Sequence, residues 1–361
     1  MTKTRIGLEV TEESVRAIEV TLGRHPVVTA CGEVALPADA AKDSEVLDRD
    51  AVALAVRTLW AQARFRSRNV VLGVGNRRIL VREHSSPAMA PALMRDALPF
   101  QVQDLLPVPV NQAVLDFYPI SESDGQVHGM LVAAVEETID EIIETIKRAK
   151  LVTDAVDLLP FGLARIAGRI APEGESVAMI HVGEHTTFVV IAQAGIPRFV
   201  RILPAEISTA ATRARLAQPA EEELESSLDV SLDTMMSAQE QGEDSPRTRR
   251  SQLRLASANA QARIDDAAQT DQSISDLVNR IRSTLAYYGG RADVQPVTSV
   301  RVSGAGAANP SLTAAIARTT ALPTGLVSIT DVLPVRSSFV PGGETAFNLV
   351  GPLGVLLGEG I

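Results

Sequence analysis

Cysteine is almost missing from this sequence: Cys31 stands alone among 361 residues. No intramolecular disulfide can form, and a reducing compartment is expected. Aromatic residues are also scarce, at 3% with one Trp and three Tyr, which leaves little for the stacking platforms of single-strand nucleic-acid binders. The cores must therefore be built from Val, Ile, Leu and Ala. No apolar run approaches the roughly 18 residues needed to span a bilayer. The last candidate, Ala346–Leu357, is short and is broken by Gly351, Pro352 and Gly354. The opening MTKTRIGLEV enters a strand pattern at once, with no apolar signal core. These absences predict a cytosolic protein that reaches a membrane only through a partner. Positive charge is in deficit: the formal charge of −10 disfavours nucleic acid as a ligand. Most of the acidic excess lies in Gln218–Gln252, which has no sustained apolar period and is expected to be disordered or loosely helical.

What is present suits a globular chain, with 45% hydrophobic and 22% charged residues, and the length suggests two or three domains. One pattern occurs twice, as IGLEVTEESVRAIEV (Ile6–Val20) and IHVGEHTTFVVIA (Ile180–Ala192). Each reads as a strand, a polar turn and a second strand, because β-branched and apolar residues flank small or polar ones. Glu9-Val10-Thr11 corresponds to His181-Val182-Gly183, and Ser14 to Thr186. A hairpin in each half predicts two related domains facing each other across a cleft.

Further elements follow from periodicity. Val27–Leu36 reads as a third strand, and Ala51–Arg66 as a helix with Val52, Val56, Leu59 and Trp60 on one face. Asn69–Val74 and Ile79–Arg82 are expected to pair around Gly75-Asn76. The chain changes character at Ser85–Pro87. Ala88–Ala97 reads as a helix, Val114–Ile120 and Val127–Val135 as antiparallel strands, and Glu136–Lys150 as a helix with acids first and bases last. Residues 86–150 are therefore expected to form an inserted α+β subdomain. Around it, 1–85 and 151–172 form a first lobe, with a helix at 345–358 packing back onto it, and 173–344 form a second lobe. His181 and His185 are four residues apart, but on a strand and turn, which argues against zinc. GVGNRR (Gly73–Arg78) lacks the third glycine and following helix of a dinucleotide fingerprint and reads as a turn.

The order and spacing of these pieces resemble the PilM family, actin-like cytoplasmic proteins of type IV pilus assembly related in fold to FtsA. Five pieces carry the resemblance: the first hairpin; NVVLGVGNRRILVRE with MRDALPFQVQDLLPVPVNQAVLDFYPI; DAVDLLPFGLARI; the second hairpin with GIPRFVRILP; and LVNRIRSTLAYYGG with VRVSGAGAANPSL. The resemblance implies an α/β actin-like, ribonuclease-H-like duplicated two-lobe fold with an inserted subdomain.

It also implies an ATP site between the hairpins. The matching positions are Gly7, Glu9, Thr11, Glu12 and Ser14 in the first, Gly183, Thr186 and Thr187 in the second, and Gly304 and Gly306 at the adenosine. Departures bear on that site. Glu9 and His181 stand where the family has Asp, and imidazole is a poor ligand for Mg²⁺. Glu12 and Glu13 put carboxylates where small residues approach phosphates. Hydrolysis is therefore not expected, no catalytic residue is assigned, and ATP remains a candidate ligand.

The implied partner is an inner-membrane protein of PilN type, whose cytoplasmic N-terminal peptide docks between the first and inserted subdomains, with the assembly ATPase as a further partner. Leu98, Pro99, Phe100, Leu105, Leu106, Pro107 and Pro109 are the candidates for that groove. Two other readings share the fold. One is an active ATPase or sugar-kinase-like enzyme, and the other an FtsA-like filament former, which usually carries an amphipathic membrane helix.

Overall fold

A computed structural model describes residues 3–42, 45–205, 207, 271–292, 294–336 and 340–358. The acidic segment 218–252 lies outside the described residues. The chain divides into two units, Met1–Glu206 with Leu277–Ile361, and Ile207–Asp276; the sheets and the site belong to the first.

Two five-stranded sheets repeat one plan. The first contains β1 (Thr4–Val10), β2 (Ser14–Thr21), β3 (Val28–Ala35), β6 (Asn69–Val74) and β10 (Val152–Leu158) in the order β10-β6-β1-β2-β3. The second contains β11 (Ser176–Val182), β12 (Thr186–Gln193), β13 (Ile196–Pro204), β14 (Ser299–Ser303) and β15 (Thr324–Leu326) in the order β13-β12-β11-β14-β15. In each, three antiparallel strands form a meander and two later strands add in parallel beside the first. Parallel additions need both faces covered, so the central strands are buried along their length. All eight residues of β2 and all seven of β11 are buried.

Helix α1 (Arg49–Ala63) covers one face of the first sheet with Val52, Val56 and Leu59. Asp48 caps it, its carboxylate accepting from the amides of Asp50 at 2.9 Å and Ala51 at 3.0 Å. A ribbon of β4 (Ala41–Lys42) and β5 (Glu45–Val46) precedes it. The insert is a three-stranded sheet of β7 (Leu80–Pro87), β9 (Gln126–Val135) and β8 (Ala113–Ser123), with β8 on the outside. With it come helices α2 (Pro91–Val102) and α3 (Glu136–Arg148). Acids in the first turn of α3 and Lys147 and Arg148 in its last complement its macrodipole, and Ile142 and Ile146 join the core beneath α1.

The expected pairing of Asn69–Val74 with Ile79–Arg82 is not formed. β6 lies inside its sheet with both edges occupied, by β1 and β10, so β7 turns away and pairs with β9. The helix expected at Ala88–Ala97 starts at Pro91, which presets the first-turn φ, and runs through Pro99 to Val102.

Two helices are exchanged between the sheets. Helix α4 (Leu159–Ile170) leaves the last strand of the first sheet and packs on β12 and β13 of the second. In the second half follow α5 (271–289), α6 (Pro310–Thr320), α7 (Ile329–Val332), α8 (Gly343–Asn348) and α9 (Val350–Leu356). Helix α9 packs on β1, β2 and β6 of the first sheet. The exchanged helices cross at glycine: a Cβ on Gly354 would lie 2.6 Å from the carbonyl carbon of Gly162. Among the described residues, no helix is long and apolar enough to cross a membrane.

Candidate functional site

The two hairpins meet with matching turns. In the first, the Thr11 amide donates to the Ser14 carbonyl at 2.9 Å; in the second, Gly183 donates to Thr186 at 3.0 Å. Thr11 is consumed by its own turn, its hydroxyl accepting from the Ser14 amide at 3.0 Å and donating to the Ser14 carbonyl at 3.1 Å.

Arg16 occupies the centre. Strand register sets it directly opposite Glu9 on one side and Glu33 on the other. Its side chain is 1% exposed; Nε donates to Glu33 at 2.6 Å, and the guanidinium also pairs with Glu184 in the turn of the other hairpin. Glu33 accepts as well from Ser14 Oγ at 2.9 Å, Thr345 Oγ1 at 3.0 Å and Asn348 Nδ2 at 3.2 Å. Burial works to raise the Glu33 carboxyl, but the charge and hydrogen bonds of Arg16 and those of Ser14 and Asn348 hold it below its ordinary 4.5. Beside it, Nε2 of His185 lies 3.1 Å from Oε1 of buried Glu13 and 3.9 Å from Glu12.

Glu9 and His181 occupy the positions expected from their register, at the ends of the two first strands. Burial pushes the Glu9 carboxyl up to about 7 against the pull of Arg16, and Oε2 has no hydrogen-bond partner among the described residues. Burial, reinforced by Arg16, pushes His181 down to about 3. Its Nδ1 lies 2.9 Å from Ser303 Oγ, and its ring stacks on Phe188 with centroids 6.0 Å apart. Both side chains face Gly351: a Cβ there would lie 3.3 Å from Glu9 Oε2 and 3.8 Å from His181 Cε1.

The remaining candidates are placed by packing. A Cβ on Gly7 would lie 2.1 Å from the Pro352 carbonyl oxygen, so Gly7 admits α9. Gly304, at φ +80°, and Gly306 abut Val182, where added Cβ atoms would lie 2.4 Å from its carbonyl oxygen and 2.5 Å from its Cγ1. Thr187 is fully buried, its hydroxyl without a partner among the described residues, and Thr186 is half-buried. Glu12, Thr186 and Gly183 line the remaining space, a cavity of about 30 Å³ shared with Glu9, Arg16 and His181. That volume holds about two waters. A triphosphate does not fit among these residues as they stand, and among the described residues no group of three or more His, Cys, Asp or Glu is set to hold a metal. Arg16, Glu33 and Glu184 were not singled out from the sequence. For Arg16 and Glu33 a signal was there: charged residues in SVRAIEV and CGEVA, strands rich in apolar residues.

A second concavity lies in the insert. A groove of about 810 Å³ runs between α2 and the outer strand β8, lined by Met89, Met94, Leu98, Leu115, Phe117 and Ile120 among others. Leu98 is buried in a small core with Val102 and Leu131, and Pro99 lines the groove. Leu106 packs on that core from the side. Phe100 is 79% exposed, and Leu105, Pro107 and Pro109 are exposed; none of these four lines the groove. The junction of α3 with the first lobe, enclosed by Val10, Leu72, Ile139 and Ile142, leaves only about 10 Å³.

A duplicated sheet plan, one hairpin per lobe and helices exchanged between the lobes define an actin-like two-lobe protein, with an α+β insert and a cleft filled by its own side chains. The family described as type IV pilus assembly protein PilM matches residues 7–202. That is more than half of the sequence, and the chain belongs to this family. Among solved structures, a PilM-PilN type IV pilus biogenesis complex superposes with a TM-score of 0.73 at 21% identity, covering 98% of this chain and 97% of that one. The ethanolamine utilization protein EutJ from Carboxydothermus hydrogenoformans gives 0.49 at 12% identity, covering 99% and 90%. No curated protein matches the chain by sequence.

Proposed function

We propose that the protein is a cytoplasmic scaffold of type IV pilus assembly. It holds the cytoplasmic N-terminal peptide of an inner-membrane protein of PilN type, linking it to the assembly motor without turning over ATP. The observation that carries this reading is the apolar groove beside β8. The outer strand of a sheet presents unpaired amides and carbonyls, so an extended peptide can add to it while its side chains enter the groove. Eleven residues of β8 offer length for such an addition. The known complex of a PilM with a PilN supports the partner type, and the family assignment supports the process. The absence of turnover is supported by Glu9 and His181, which leave no aspartate pair for Mg²⁺ and water.

The test is a titration of the full chain with a synthetic peptide of the PilN-type protein's cytoplasmic N-terminus, alongside phosphate release with ATP and Mg²⁺. Micromolar peptide binding and no release are expected. Met89→Asp at the groove rim should weaken the peptide by roughly 10- to 100-fold, the loss of one buried apolar side chain. Equal affinity in the variant would move the peptide elsewhere, and Mg²⁺-dependent release would make the protein an ATPase.

A further inference from the structure

The two hairpin turns, one from each lobe, come together at one position. Here that position is filled from both sides by the chain itself. We propose that the cleft is held shut by an arginine-centred clasp in place of a nucleotide, with Arg16 of the first lobe bound to Glu184 of the second and Glu13 bound to His185. The inference deepens the non-hydrolysing reading above, from no turnover to no binding, and is independent of the peptide groove.

Three observations carry it. Arg16 is buried to 1% exposure and already faces Glu9 and Glu33 in its own sheet. Its remaining contact, with Glu184, crosses to the other lobe. A buried guanidinium is stable only where carboxylates surround it, so opening the cleft strips Arg16 of one of the groups that compensate its burial. The second crossing, Glu13 to His185 at 3.1 Å, ties the two turns at a separate point.

The space is the third observation. About 30 Å³ remains, bordered by Glu9, Glu12 and Glu184. The space is faced by one guanidinium, already shared by Glu33 and Glu184, and by the carboxylates of Glu12 and Glu184, with the Glu9 carboxyl beside them. A nucleoside triphosphate would have to displace Glu184 from Arg16 and then lie among like charges, which repel it most where water is excluded. Two amides of the turns are spent as well: those of Thr11 and Gly183 close their own hairpins.

The experiment has two arms on the full chain. Calorimetry with ATP and Mg²⁺, and with ADP, should give no heat up to millimolar nucleotide; micromolar binding overturns the proposal. Amide hydrogen exchange then tests the clasp. In Glu184→Ala, the turn amides around residues 11–14, in the other lobe, should exchange at least tenfold faster, while β6 and β14 stay protected. Glu184→Gln, which keeps the shape and an acceptor but drops the charge, should show a smaller acceleration at the same amides and serves if the alanine variant does not fold. Unchanged exchange at residues 11–14 in both variants overturns the clasp. Peptide binding on the same samples is read separately, so failure of the scaffold reading leaves this result standing, and the reverse.

Discussion

Glu9 and His181 titrate in opposite senses, and their opposition should be visible in stability. Glu9 moves from an ordinary 4.5 to about 7, so the folded state holds its proton where the unfolded chain has lost it. Its contribution is fully present below pH 4.5 and is lost as pH rises to 7, by about 1.4 kcal/mol per pH unit and about 3 kcal/mol in all. His181 moves from 6.5 to about 3, so the folded state stays neutral while the unfolded chain charges. Its contribution is present above pH 6.5 and is lost as pH falls, with the same slope and opposite sign. Between pH 4.5 and 6.5 the two slopes cancel in the wild type. Glu9→Gln should uncover the histidine: measured by urea unfolding, its stability relative to wild type should rise by about 3 kcal/mol from pH 4.5 to 7 and then stay level. His181→Asn should uncover the carboxyl, gaining on wild type as pH falls below 6.5. Parallel pH profiles for wild type and both variants would refute the burial of these groups that the cleft geometry describes.

Gly354→Ala places a methyl group against the backbone of α4 at 2.6 Å and should cost about 1–3 kcal/mol, read as a fall in denaturation midpoint. A variant as stable as the parent would mean that the exchanged helices do not touch there. Burial pushes the Cys31 thiol up to about 11, so the native protein should react slowly with a disulfide reagent at neutral pH and quickly once unfolded. Equal rates in the two states would contradict it. Removing the cap of α1 with Asp48→Ala should cost about 1 kcal/mol, again by denaturant unfolding, and no change would mean that the amides of Asp50 and Ala51 find other partners.

The fold was legible because its strongest signals are local. Each hairpin announces itself within about fifteen residues, and finding it twice implies the duplicated sheets that the structure contains. The error at Ile79–Arg82 came from the same locality. Adjacent strands in sequence usually pair, but nothing local reveals that both edges of β6 are taken by β1 and β10. The site was half legible. Glu9 and His181 were found through the family pattern, whereas Arg16 looked like an ordinary polar residue in an alternating strand. Its importance depends on Glu184, 168 positions away in sequence, and spacing cannot show that the two turns meet. The glycines illustrate the converse. Gly7 and Gly306 suit a nucleotide site and a close packing contact equally well from sequence, and only Pro352 and Val182 show what lies against them.

The exchange of α4 and α9 has a bearing on how the chain is made. Synthesis proceeds from the first residue, and all five strands of the first sheet have emerged by Leu158. One face of that sheet nevertheless lacks its cover until Val350–Leu356 is delivered, almost two hundred residues later. Apolar surface on β1, β2 and β6 then stays exposed on the ribosome, the condition under which nascent chains engage chaperones or aggregate. Because α4 is committed to the other sheet, neither lobe can mature alone, and the long separation between partners makes the final docking slow. A shortened chain lacking residues 350–356 would lose the first lobe as well as its own last helix.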